Sequence, residues 1–144
     1  MTVAKKYFNW QKAGAPTPEY STKSPNLVQI MGYLRATYGM TNLGIYNRRP
    51  VRGGTAWSTH AFGAALDAAY TDRAQIEWVV LPWLIEHSEE LGIQRIHDYA
   101  ANRYWQAGKG MVDKSPGVGA DWLHIETHPS QWGNTIPVGE RIKA

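Results

Sequence analysis

Apolar residues recur at helical spacing from Leu27 through Ile30, Met31 and Leu34 to Tyr38, which predicts a core-facing helix. Ser24-Pro25 supplies its start, a hydroxyl cap followed by a residue whose missing N–H costs nothing in the first turn, and Gly39 supplies its stop. A second helical stretch opens at Thr71 or Asp72 and runs through Ile76, Val79, Val80, Trp83 and Leu84 to Leu91, where Gly92 ends it. Pro82 lies inside it and predicts a kink or two abutting helices. Strand-like runs cover Leu43 to Asn47, Ala64 to Tyr70, Ile93 to Tyr99, Arg103 to Gln106 and Trp122 to Thr127, with Ala100-Ala101-Asn102 as a hairpin turn. Residues 1–24 show no clean periodicity and predict an irregular arm, pinned to the body by Tyr7, Phe8 and Trp10. Residues 107–120, rich in Gly, Lys, Ser and Pro, predict a mobile loop beside a cleft, and residues 133–144 an irregular tail or linker.

The whole chain, residues 1–144, is the length of one domain with a core of its own. Fifteen Lys and Arg against twelve Asp and Glu give a net charge of +3. This mild basicity suits approach to an anionic surface such as a cell wall. The cations are too few and too dispersed for a nucleic-acid partner. No apolar run of about 18 residues is present to span a membrane, and Met1 to Lys6 lacks the apolar core of a secretion signal. Seven Trp and eight Tyr are many for the length, as in a chain that lines a groove with aromatics.

Candidate chemistry concentrates in two stretches. One is Ser58-Thr59-His60-Ala61-Phe62-Gly63-Ala64-Ala65-Leu66-Asp67, the other Asp121-Trp122-Leu123-His124-Ile125-Glu126. Without cysteine, a transition-metal site here must use nitrogen and oxygen, and two His with one carboxylate make an open zinc site. Asp67 interrupts a small, apolar run, where a carboxylate is costly unless paired or metal-bound. Asp121 and His124 are three apart, so both reach one site only if Asp121 stands where the strand begins or bulges. Glu126 is its rival as a base. His128 would join His124 on one face only in a helix, against which the strand-like run and Pro129 both argue. His87 and His97 read as structural. Arg48, Arg49 and Arg52 crowd the loop before the first stretch.

Ser-x-His-x6-Asp followed by Asp-x-x-His resembles the zinc peptidases of the VanX and VanY type, which include D-alanyl-D-alanine carboxypeptidases and L-alanyl-D-glutamate endopeptidases of bacterial wall peptides. The resemblance covers residues 27 to 132, and only the two motifs are specific. It implies an α+β fold of the kind shared with the Hedgehog signalling domain: a small, mostly antiparallel sheet carrying the ligands, with helices on one side. It implies His60, Asp67 and His124 as zinc ligands, Asp121 as general base, and an arginine on the substrate carbonyl or carboxylate, for which Arg49 matches best. Ser58, Arg52 and Trp122 are the further candidates for substrate binding, and Trp57 and Trp105 join Trp122 as cleft walls. The implied partner is bacterial peptidoglycan, and the implied setting a phage endolysin, monomeric or one module of a larger chain, held in the host cytoplasm until lysis and then acting at the wall. The alternatives are a non-catalytic zinc module of the same fold that binds wall or protein, and an amidase using His60, His124 and His128.

Overall fold

A computed structural model describes residues 6–51, 53–114 and 119–142. Six strands form one antiparallel sheet: β1 (Thr41–Gly44), β2 (Ala65–Ala69), β3 (Ile93–Asp98), β4 (Arg103–Gln106), β5 (Gly110–Val112) and β6 (Trp122–Thr127). Their spatial order is β1-β2-β6-β3-β4-β5, so the last strand enters the middle of the sheet. The class is α+β, as expected. The helices are α1 (Pro25–Tyr38), α2 (Arg73–Gln75), α3 (Leu81–Glu86), α4 (Ser88–Leu91) and α5 (Val138–Arg141). Among the described residues, no helix is long and apolar enough to cross a membrane.

Side chains alternate across a strand, so register decides which residues share a face. Leu66, Ile125 and Ile96 are consecutive cross-strand partners, and they join Leu27, Ile30, Leu34, Val80, Leu81 and Leu84 in one core. The opposite face carries Asp67, His124, His97 and Tyr104, also consecutive partners, with Glu126 two residues beyond His124. Helices thus cover one face and leave the polar face for chemistry.

Helix α1 begins and ends as its sequence dictates. Ser24 Oγ accepts from the Leu27 amide, and Gly39 closes the helix in the left-handed region. In the second helical stretch Asp72 is the cap. Pro82 has no N–H to donate, and its ring would press on the carbonyl four residues back. The chain meets this with a wider π-turn over Ile76–Val80, where the Leu81 amide reaches Ile76, and a further break at His87.

Several expectations are corrected. The first strand ends at Gly44, not Asn47, because Gly44 takes φ 135° at a bulge opposite Asp67, a conformation open only to glycine. The stretch expected to be a mobile loop contains β5, which pairs with β4 and extends the sheet. The tail contains α5, whose Val138 enters the main core. Trp105 pairs with Ile96 and packs on the helix-covered core, so it is no wall of the polar cleft. The N-terminal arm forms two short 3-10 turns, and Trp10 is buried with Phe62, Ala64 and Trp132.

Candidate metal centre

His60 lies on a 3-10 turn, Thr59–Phe62, that feeds directly into β2 and hence Asp67. Ser58 caps the turn: its Oγ accepts from the His60 amide. Ser58 is buried, and its placement is that of a turn hydroxyl which positions His60. Gly63 ends the turn at φ 62°. A Cβ there would stand 1.6 Å from the Thr22 carbonyl oxygen, because the chain entering α1 crosses at that point. Gly63→Ala therefore forces the backbone apart and adds left-handed strain, which alone costs about 1–2 kcal/mol. Its melting temperature is expected to drop, and an unchanged thermal transition would refute this packing.

Three donor atoms converge on the polar face. Nε2 of His60 is 3.2 Å from Oδ2 of Asp67, and Nδ1 of His124 is 3.3 Å from Oδ1. One ligand atom from each of the three residues lies within 4.8 Å of the others. Zinc held tetrahedrally at about 2.0–2.1 Å places its ligand atoms about 3.3 Å apart; both His–Asp67 separations match this, and imidazole nitrogen and carboxylate oxygen are donors that zinc takes. The rear nitrogens are committed. His60 Nδ1 meets the Ile45 carbonyl at 3.0 Å, which directs its Nε2 to the centre. His124 Nε2 meets Oε2 of the buried Glu126 at 3.0 Å, which directs Nδ1 to the centre. A carboxylate or carbonyl behind each imidazole is the arrangement that fixes tautomer and ring angle in metal sites. Glu126, weighed as a base, is instead the residue that orients His124.

The electrostatics follow from this crowding. Burial disfavours the charged form of Asp67, but hydrogen bonds with His124 and His60 outweigh it and hold the carboxyl well below the ordinary range. Burial pushes His124 down, yet its bonds to Asp67 and Glu126 prevail and raise it to about 9. Glu126 is likewise held low by His124 despite burial. His97, 5.1 Å from His124 ring to ring, is pushed down to about 3, chiefly by burial, and is neutral near pH 7. It stacks on Tyr99, and burial with the nearby Asp67 and Glu126 charges raises that phenol, keeping it protonated as a hydrogen-bond donor.

Beside the centre is a small open cleft of about 100 Å³, lined by Leu43, Gly44, Tyr46, Asn47, Arg49, His60 and Asp67. Of the three arginines in the preceding loop, Arg49 reaches this cleft, whereas Arg48 lies over the Trp57 ring at 5.0 Å. Arg52 falls outside the described residues. The Ser58 amide donates to the Arg49 carbonyl, which ties the arginine to the His60 turn. Asp121 is exposed and directly precedes β6, with its carbonyl accepting from the Tyr70 amide. Trp122 shares the face of His124 and meets Tyr99 edge-on at 6.0 Å.

No family model, curated protein or solved structure matches this chain.

The other candidates separate from the centre. His128 caps the turn over Pro129–Gln131 and bonds Ser130, so it does not join His124. His87 pairs with Glu90 on the helical side. Asp98 is bound by Arg73 and Arg103. Glu126 was detectable from the two-residue period that puts it on His124's face. His97 and Tyr99 needed the register of β3 against β6, which no local pattern encodes.

Proposed function

We propose that this chain is a zinc-dependent peptidase acting on bacterial peptidoglycan stem peptides or crosslinks, in phage-driven lysis of the host. The observation that carries the reading is the convergence of His60 Nε2, the Asp67 carboxylate and His124 Nδ1, each at ligand spacing and each His oriented from behind. Zinc bound there supplies a Lewis acid that makes water acidic enough to attack a peptide carbonyl at neutral pH. Arg49, on the wall of the adjoining cleft, is the cation that holds a substrate carboxylate or stabilises charge on the scissile oxygen. Asp121 is the proton acceptor, and its place just ahead of β6 frees it from the alternation that would turn it from His124's face. Tyr99, whose ring lies 6.4 Å from that of His124, is the neutral hydrogen-bond donor beside the centre.

Release of free amino groups from purified wall peptides, lost on chelation and restored by zinc, tests the reading. Hydrolysis unaffected by chelation, or none with zinc bound, contradicts it. Asp121→Ala is expected to keep stoichiometric zinc and to lose about 10²-fold or more in rate. Near-normal turnover in that variant would assign the base elsewhere. An L-Ala–D-Glu endopeptidase uses Arg49 for the D-Glu carboxylate, and a D-Ala–D-Ala carboxypeptidase uses it for the terminal one.

A further inference from the structure

Behind His124 runs a buried chain of hydrogen bonds that ends in the N-terminal arm. Glu126 Oε2 meets His124 Nε2, and its other oxygen, Oε1, accepts from Gln94 Nε2 at 3.3 Å. The Gln94 side chain in turn clasps the backbone of Phe8. The Phe8 amide donates to Gln94 Oε1 and the Phe8 carbonyl accepts from Gln94 Nε2, both at 2.9 Å. Gln94 is fully buried and Glu126 nearly so.

We propose that this arm is a working part of the metal centre: Phe8 fixes the Gln94 amide, and Gln94 holds Glu126 against His124. The inference rests on the zinc reading above and extends it to residues remote from the ligands.

Two features carry it. First, β3 pairs with β6 through Ile93↔Thr127 and Arg95↔Glu126, so Gln94 is an extra residue in the ladder. A bulge re-aims its side chain, and here it brings Gln94 to a carboxylate on the site face. Second, an amide presents an oxygen or an NH₂, and an ionised carboxylate accepts only from the NH₂. A peptide N–H can only donate and a peptide carbonyl only accept. Phe8 offers both at once, and this pair of bonds admits a single orientation of the Gln94 amide, with Nε2 towards Glu126. Without Phe8 the amide can turn its oxygen to Glu126 and repel it. The arm is anchored for this task on both sides of Phe8. Trp10 Nε1 donates to the Thr127 carbonyl at 2.9 Å, and Arg95, which faces Glu126 across the strands, donates to Tyr7 Oη at 3.1 Å.

The test is zinc affinity, measured by competition with a chromogenic chelator, for five proteins whose folding is checked by circular dichroism. They are the full chain, the chain lacking residues 1–8, Gln94→Met, the truncated chain carrying Gln94→Met, and Phe8→Ala. Loss of support behind a metal ligand typically weakens binding 10- to 100-fold. The truncated chain and Gln94→Met are each expected to bind zinc about tenfold more weakly. Combining the two should add little, because they break one chain of contacts. Phe8→Ala keeps both backbone bonds and is expected to retain full-chain affinity. A folded truncated chain that binds zinc as tightly as the full chain overturns the inference. So does a Phe8→Ala protein as weak as the truncated one, which would assign the effect to ring packing. If the full chain binds no zinc, the zinc reading falls and the arm's role falls with it. If the full chain binds and the variants do not differ, only the arm's role falls.

Discussion

Replacing His60 with alanine is expected to remove stoichiometric zinc and peptide hydrolysis in one step. His60 supplies Nε2, one of three converging donors, and its Nδ1 is already held by the Ile45 carbonyl. The variant leaves Asp67 and His124 alone. Two protein ligands do not make the three-ligand set of an open catalytic zinc site. His60 is also buried, so a folding control must accompany the metal assay. Folded protein without zinc and without turnover is the expected outcome. Folded protein that keeps one zinc per chain would show that the ion is held elsewhere.

The second large effect is on stability. Asp98 has a side chain only 1% exposed and is gripped by two arginines. Arg73 donates to Oδ1 at 2.7 Å and to Oδ2 at 2.8 Å, while Arg103 Nε donates to Oδ2 at 3.0 Å. Glu77 bonds both arginines from the outer side, at 2.6 and 2.9 Å. Removing one partner from a buried pair leaves a charge with inadequate compensation. Arg73→Ala is expected to cost on the order of 3 kcal/mol. For a chain of this length that lowers the melting temperature by roughly 6–12 °C. A shift of a degree or two would show that Arg103 alone suffices for Asp98. The network also sets a pH dependence. Burial opposes ionisation of Asp98, but Arg73 and Arg103 outweigh it and hold the carboxyl below its ordinary value. A depressed folded-state pKa contributes stability in full above the unfolded value of about 3.9, and that contribution is lost as pH falls through the folded value. Acid unfolding of the parent chain should therefore be steep below about pH 4, and shallower in Arg73→Ala.

Much of the candidate site was legible because its parts are local. The turn carrying His60, its stop at Gly63 and the strand carrying Asp67 occupy ten consecutive residues, and each step has its own signal in the chain. The start of β6 at Trp122, which leaves Asp121 just ahead of the strand, matches the strand-like run read from the chain. Helix α1 is bounded by the Ser-Pro and Gly signals that predict it. What escaped was non-local. Gly110–Val112 has no alternating pattern and becomes a strand only because β4 offers it a ladder. The face of Trp105 depends on register, and a shift of one residue would reverse it. Gln94 and Phe8 are 86 positions apart, and their clasp depends on a bulge that no composition signals. The π-turn ahead of Pro82 shows the same limit: the proline announces a disturbance, and packing selects its form.

Mass spectrometry of purified muropeptides incubated with the zinc-loaded chain, with and without chelator, tests the central claim most directly. Zinc-dependent cleavage within the stem peptide or crosslink is the expected result, at L-Ala–D-Glu for an endopeptidase or with loss of terminal D-Ala for a carboxypeptidase. Intact muropeptides in the presence of chain with one bound zinc would contradict it.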